Sequence, residues 1–256
     1  MSKLSFSTEI TRALLPLLEA DRRLGVAAWP IPVAPSTGRV RGSTPPPGGA
    51  APVEIEGDVV ERLRVLSEDV AGCTKCGLSA TRTRTVFGQG NPRARLVFVG
   101  EAPGFDEDRQ GLAFVGKAGQ LLTKMIEAMG TTREDVFICN VLKCRPPNNR
   151  TPAPDEIASC SPYLRRQLAW IYPEVIVALG APASQTLLST AESIGRLRGR
   201  FHEYFLSGVR GEGASVALMP TYHPAYLLRN PADKIKAWED LKQVMSRLGL
   251  QRPGAS

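Results

Sequence analysis

The sequence predicts an α/β fold: three layers, α/β/α, with a mainly parallel central sheet. Two observations predict it. From residue 95 onward, short runs rich in Val, Ile and Leu recur, apolar throughout as strands covered on both faces require. Between them lie longer stretches with 3.6-residue apolar spacing, which crossover helices on the two faces would supply.

Taken in order, VERLRVLSEDVAGC (60–73) reads as a helix leading into a Cys-bearing loop, and RLVFVG (95–100) as a strand ended by Gly100. KAGQLLTKMIEAMG (117–130) is a helix closed by Gly130, and VFICNVL (136–142) a strand. PDEIASCSPYLRRQLAWI (154–171) is a helix opened by Pro154 and two acids, which suit a helix N-terminus. EVIVALG (174–180) is a strand and APASQTLLST (181–190) a helix. Residues 195–224 read as an antiparallel excursion followed by a core strand near 215–219, and KIKAWEDLKQVMSRLG (234–249) closes as a helix. Arg196, Arg198 and Arg200 alternate, as on one side of a strand edge.

Ahead of this body, residues 30–52 hold seven prolines and four glycines in 23 positions, a composition that cannot bury enough apolar surface to offset ordering. The chain therefore divides into an N-terminal extension and linker, 1–52, expected to be partly disordered, and a folded domain, 53–256. Within the extension, residues 10–26 have roughly helical apolar spacing, consistent with a docking element or a frayed terminus.

The formal charge is +7, from 32 Lys and Arg against 25 Asp and Glu. Residues 1–60 balance six basic against six acidic side chains, so the whole excess sits in residues 61–256. A polyanion partner fits that excess, because neutralised phosphates release counterions; a basic protein without such a partner fits it equally. No apolar run approaches the ~20 residues that span a bilayer, and MSKLSFSTEITRALL has no secretory h-region. The expectation is a cytoplasmic protein with no membrane partner, in which five cysteines at uneven spacing form no disulfide framework.

Cys73 and Cys76 form a C-x2-C pair, and Cys144 and Cys160 a second pair with fifteen residues between them. Four thiolates suit a tetrahedral zinc or a [4Fe–4S] cluster, and spacing leaves the two open. Because 67 residues separate the pairs, a metal there would staple the segment before the sheet onto the main body. Cys139, in the alternating FICNV, reads as a small buried hydrophobe.

In open α/β sheets, ligands bind beyond the carboxyl ends of the strands. The residues there are Gly100, Glu101, Asn140, Gly180 and the Thr221-Tyr222-His223-Pro224 run, which brings a carboxylate, an amide and one of only two histidines to one edge. GEAPGFDEDRQGLAFVG (100–116) carries Glu101, Asp106, Glu107 and Asp108 on a Gly/Pro-rich connection with neither a P-loop nor a dinucleotide fingerprint, so a solvated acidic loop competes with a site. Phe114 is a core aromatic or a stacking platform for a base. His223 is a structural histidine or a donor into a pocket, and Tyr226, Leu227, Leu228 and Arg229 offer a wedge and a phosphate contact. His202 reads as structural.

These segments together resemble family 4 uracil-DNA glycosylase, the iron–sulfur type. The matching residues are Cys73-x2-Cys76, GEAPG (100–104), GLAFVGKAGQLL (111–122), NVLKCRPPNNRTPAPDE (140–156), Cys160 and HPAYLLRNP (223–231), covering about 60–248 in order. One departure is Ala113, where relatives often carry proline before the Phe.

The resemblance implies a uracil-DNA glycosylase-like fold and a [4Fe–4S] cluster on Cys73, Cys76, Cys144 and Cys160, structural in role. It implies a monofunctional hydrolase of base excision repair that flips uracil out of single- or double-stranded DNA and cuts its N-glycosidic bond, acting as a cytoplasmic monomer. Glu101 would handle the attacking water, with Glu107 a second candidate, and His223 would donate to the uracil oxygen. Gly100, Phe114 and Asn140 would hold the uracil; Asn149, Tyr226, Leu227 and Arg229 would meet DNA. CRPPNNRTPAP lacks the histidine-bearing insertion of the branch that captures uracil-DNA covalently, so turnover is expected. The alternative from another class is a non-catalytic iron–sulfur protein that binds uracil-containing or damaged DNA.

Overall fold

A computed structural model describes residues 58–253. The extension over 1–52, its amphipathic stretch and the boundary at 53 lie outside the described residues. Within them, six strands form one sheet in the order β1-β3-β2-β4-β6-β5. The inner four are parallel: β2 (Leu96–Gly100), β3 (Phe137–Asn140), β4 (Val175–Leu179) and β6 (Ser215–Thr221). The outer two, β1 (Gln89–Gly90) and β5 (His202–Phe205), run antiparallel to their neighbours.

Alternate residues of each inner strand enter different cores. Val97, Val99, Ile176 and Ala178 pack beneath α1 (Val59–Ala71) and α4 (Pro154–Ile171), through Leu66, Val70, Leu164 and Leu168. Leu96, Phe98, Val175 and Val177 face the other way, onto α3 (Lys117–Ala128) and α8 (Lys234–Leu248), through Leu122, Ile126, Leu241 and Val244. This is why the strands read as unbroken apolar runs: each face has its own helical cover.

Helix α4 begins at Pro154 and runs through Pro162 to Ile171. Glu156 in its first turn accepts the Ala153 N–H at 2.8 Å and pairs with Arg150 at 2.6 Å, which closes the helix start from both sides. From β2 the chain goes to β3 on one side, and from β4 it goes to β6 on the other, so a crevice opens beyond the carboxyl ends of the inner strands.

Two local expectations are corrected, and one segment to which the pattern assigns no element is helical. The acidic segment after Gly104 is not a solvated loop but a short helix, α2 (Phe105–Gln110). Its acids sit in the first turn, where the helix dipole favours them, and Gly111 closes it at φ 75°. Asp108 is buried and accepts the Thr83 N–H at 2.9 and 3.1 Å. The three alternating arginines lie on no strand: Arg196 is in α6 (Ile194–Leu197), which follows α5 (Ala181–Leu188) and the 189–193 loop. Arg198 forms a bidentate pair, at 2.7 and 3.0 Å, with Asp240, which also accepts the Thr221 hydroxyl at 2.6 Å. Finally, the segment after His223 is helical, α7 (Pro224–Arg229), and packs on α3.

Candidate active site

Beyond the strand ends lies a cavity of about 230 Å³ whose wall includes Glu101, Phe114, Asn140, Asn149, Arg150 and His223. The sheet positions its chemistry. Gly100 and Asn140 end adjacent strands as register partners, Glu101 follows β2, and His223 lies two residues beyond β6.

Asn140 is 1% exposed, yet its Oδ1 has no hydrogen-bond partner among the described residues. Such an orphan costs about 1–3 kcal/mol in the free protein, and it demands a reason. Its backbone carbonyl is well supplied: the Lys143 ammonium donates to it at 2.8 Å and to Gln167 Oε1 at 2.6 Å. Lys143 is itself fully enclosed, and burial pulls its pKa down. Gly100 leaves the space that Oδ1 uses, for a Cβ there would run into that oxygen and lie 2.6 Å from the Phe114 ring.

Phe114 holds a left-handed backbone, φ 54°, which costs a residue with a Cβ about 1–2 kcal/mol. Its neighbours pin that turn. The Glu107 carboxylate accepts the N–H groups of Val115 and Gly116 at 2.9 and 3.0 Å and that of Gly104 at 3.1 Å, while Arg133 donates to the Ala113 carbonyl at 2.9 Å. The Phe114 ring is thereby held 5.7 Å from the His223 ring, tilted by 34°.

His223 caps α7. Its Nδ1 accepts the Ala225 N–H at 3.1 Å, which leaves the proton of a neutral imidazole on Nε2 as a free donor. Burial, and secondarily the nearby Arg229 charge, push its pKa down to about 4. Gly180, at φ 89°, lies against it, and a Cβ there would approach the His223 Cβ to 3.0 Å. Glu101 has the opposite shift: burial raises its pKa, and its carboxylate has no hydrogen-bond or salt-bridge partner among the described residues. Two carboxylates on one connection therefore differ in kind, Glu107 spent on backbone donors and Glu101 free.

The other expected contacts separate. Asn149 lines the cavity at φ 54° and accepts from Arg145 Nε at 2.7 Å. Tyr226 stacks on Tyr222 at 4.9 Å and donates its hydroxyl to Asp233 at 2.6 Å. Leu227 is 1% exposed and serves the interior, a correction to its expected DNA contact; its neighbour Leu228 is 44% exposed, and Arg229 is exposed beside it. His202 is structural as expected, its Nε2 lying 2.8 Å from the Leu197 carbonyl.

The four cysteines line one apolar recess with Leu78, Leu142 and Tyr163. Cys73 and Cys76 follow α1, Cys144 follows β3 and Cys160 projects from α4, so the recess joins three elements remote in sequence. Arg82 donates to Cys144 Sγ at 3.3 Å and to the Cys73 carbonyl at 2.7 Å, and the Lys143 N–H donates to Cys160 Sγ at 3.3 Å. Cys139 is buried in the core under the sheet, as its strand position suggests. Among the described residues, no group of three His, Cys, Asp or Glu converges on the position of a single metal ion.

Sequence reasoning missed the buried Lys143. Its signal was a charge inside an apolar run, NVLKC, where a solvated lysine has no place.

A family model described as the uracil DNA glycosylase superfamily matches residues 87–242. The chain is 46% identical over 189 residues to the type-4 uracil-DNA glycosylase of Thermotoga maritima, covering 73% of this chain and 94% of the relative. It is 44% identical over 194 residues to that of Saccharolobus solfataricus, covering 74% and 88%, and 43% identical over 198 residues to that of Archaeoglobus fulgidus, covering 76% and 97%.

Proposed function

The chain belongs to the uracil-DNA glycosylase superfamily, and from that premise we propose that it extrudes uracil from DNA and hydrolyses the N-glycosidic bond, leaving an abasic site for base excision repair. The observation that carries the reading is the orphan Oδ1 of Asn140, buried at the strand ends beside Phe114 and His223. Uracil offers N3–H as a donor next to O4 as an acceptor. Asn140 accepts the first with Oδ1 and donates to the second with Nδ2. Cytosine presents the reverse pattern at both atoms, so the same amide rejects it.

Bond cleavage puts negative charge on the departing base and oxocarbenium character on the sugar. Nε2–H of His223 is the donor for the uracil oxygen, and a fixed neutral donor of this kind is worth about 3–4 kcal/mol in the transition state. Glu101 faces the developing cation and orients water, its raised pKa reflecting the low-dielectric site in which that charge acts most strongly. Phe114 stacks on the ring. Glu107 holds the turn that presents Phe114.

Extrusion costs a few kcal/mol and is cheapest at a mispaired base. Leu228 is the exposed apolar group that enters the vacated stack, Arg229 beside it meets phosphate, and Asn149 contacts the strand at the rim. Tyr226 supports this segment through Tyr222 and Asp233.

The cysteine recess fits a [4Fe–4S] cluster: four cysteines from elements remote in sequence line it, and two of the sulfurs receive N–H donors. Cys73, Cys76, Cys144 and Cys160 would hold the cluster, which when bound would crosslink α1 to the sheet. No helix among the described residues is long and apolar enough to cross a membrane, and the proposal includes a cytoplasmic monomer acting on single- or double-stranded DNA.

The test is incubation with a uracil-containing oligonucleotide followed by alkaline cleavage. Cleavage at uracil and not at cytosine is expected; tight binding without any abasic product would favour a non-catalytic uracil-DNA binding protein.

A further inference from the structure

Phe105 is 52% exposed at the first position of α2, an apolar ring left in solvent beside the cavity. Two guanidiniums lie within cation–π range of it, Arg109 at 5.6 Å and Arg145 at 5.1 Å from the ring centroid. Arg109 is four residues on along α2, on the same face, and Arg145 is oriented by its bond to Asn149. The chain neighbours of this group, Gly104 and Pro146, both line the cavity, as does Asn149. An aromatic ring with two cations therefore sits on the rim of the proposed uracil site.

We propose that Phe105, flanked by Arg109 and Arg145, is a stacking platform for the nucleobase next to the extruded uracil, its two arginines taking the adjoining phosphates. The proposal rests on the glycosylase reading, which supplies the DNA strand. Charge selects the occupant: a nucleotide offers a π-face to the ring and an anion to each guanidinium, a combination that an apolar peptide lacks. Continuity selects the place, because a strand whose uracil enters the cavity must carry its next nucleotide over the rim. Stacking of this kind tolerates any base and is strongest where the neighbour is already unpaired.

The test uses single-stranded oligonucleotides containing one uracil, with the base on its 5′ or 3′ side either present or replaced by tetrahydrofuran. Both kcat/KM for excision and equilibrium binding are measured for the wild-type protein, Phe105→Ala and Phe105→Trp. For the wild type, removing the neighbouring base on one side should weaken binding and kcat/KM about tenfold with kcat little changed. Phe105→Ala should show that loss on the intact strand and no further loss when the neighbour is removed, and Phe105→Trp should restore the wild-type pattern. Wild-type values for Phe105→Ala, or an undiminished neighbour effect in it, would overturn the platform. A wild-type protein that excises nothing but shows the Phe105-dependent binding pattern would refute the glycosylase reading and leave the platform standing.

Discussion

Gly100 and Asn140 are register partners at the carboxyl ends of adjacent parallel strands, and the space a Gly100 side chain would occupy is taken by Asn140 Oδ1 and the Phe114 ring. Nothing in the Gly100 backbone demands glycine, since its φ lies outside the left-handed region; the demand comes from the pocket. Gly100→Ala is therefore expected to fold, with a modest fall in Tm, while uracil excision drops about a hundredfold because both side chains proposed to hold uracil are displaced. Excision kinetics beside a thermal melt decide it: unchanged kinetics would show that neither side chain needs its present place.

The two titratable groups of the site have opposite shifts, and the pH profile follows. In the proposed mechanism Glu101 acts as a carboxylate, so activity should fall as pH drops through its pKa, which burial has raised. The acid limb of kcat/KM should lie above the ordinary carboxylate range and vanish in Glu101→Gln. His223, with a pKa near 4, is neutral across about pH 5–9 and adds no limb there. His223→Asn should lower kcat about a hundredfold and leave the limb in place. A limb near 6.5 that disappears in His223→Asn would contradict a neutral donor. For stability the sign is fixed: between about 6.5 and 4 the unfolded histidine binds a proton that the folded one refuses, so this group lowers stability as pH falls.

Glu107 accepts three backbone N–H groups, and its variants separate a positioning role from handling of water. In Glu107→Gln the amide oxygen keeps Val115 and Gly116 while the new NH2 faces the Gly104 N–H; Glu107→Ala loses all three bonds. At about 1–1.5 kcal/mol per bond, Gln should cost roughly tenfold in kcat and Ala a hundredfold or more. Equal losses in both would identify a carboxylate needed for its charge.

Arg198→Met should be among the more destabilising changes away from the cavity. It strands the Asp240 carboxylate, fully buried, with the Thr221 hydroxyl as its remaining side-chain partner. The expected cost is about 3–5 kcal/mol by denaturant unfolding, with most of it recovered when Asp240→Leu is added, because an apolar pair leaves no buried charge.

The layers were legible because each strand is a solid apolar run and each long helix an amphipathic one; α4 spans the same residues in sequence and structure, its Pro154 and first-turn acids being local signals. The site was legible wherever it lies at a strand end, as Glu101, Asn140 and His223 do. Short helices were not: six residues of α2 or α7 complete too few turns to show a period, and their Gly and Pro borders look like loops. Leu227 and Leu228 are equivalent in sequence, and only the packing of α7 on α3 decides that one is buried. Arg198 escapes a sequence reading because three alternating arginines look alike on an edge strand and around a short helical turn.

The cysteine recess yields a prediction with an internal control. Cys144 and Cys160 line the recess and receive N–H donors from Arg82 and Lys143, whereas Cys139 is buried in the core under the sheet. Cys144→Ser and Cys160→Ser should lose bound iron, the absorbance of an iron–sulfur cluster and much of the Tm, because a structural metal site contributes directly to folding free energy. Cys139→Ser should cost stability through a hydroxyl placed in an apolar core, about 1–3 kcal/mol, and keep its iron. Iron content per chain, measured with the visible spectrum and the melt, separates the two classes; equal iron in Cys144→Ser and the wild type would remove Cys144 from the ligand set.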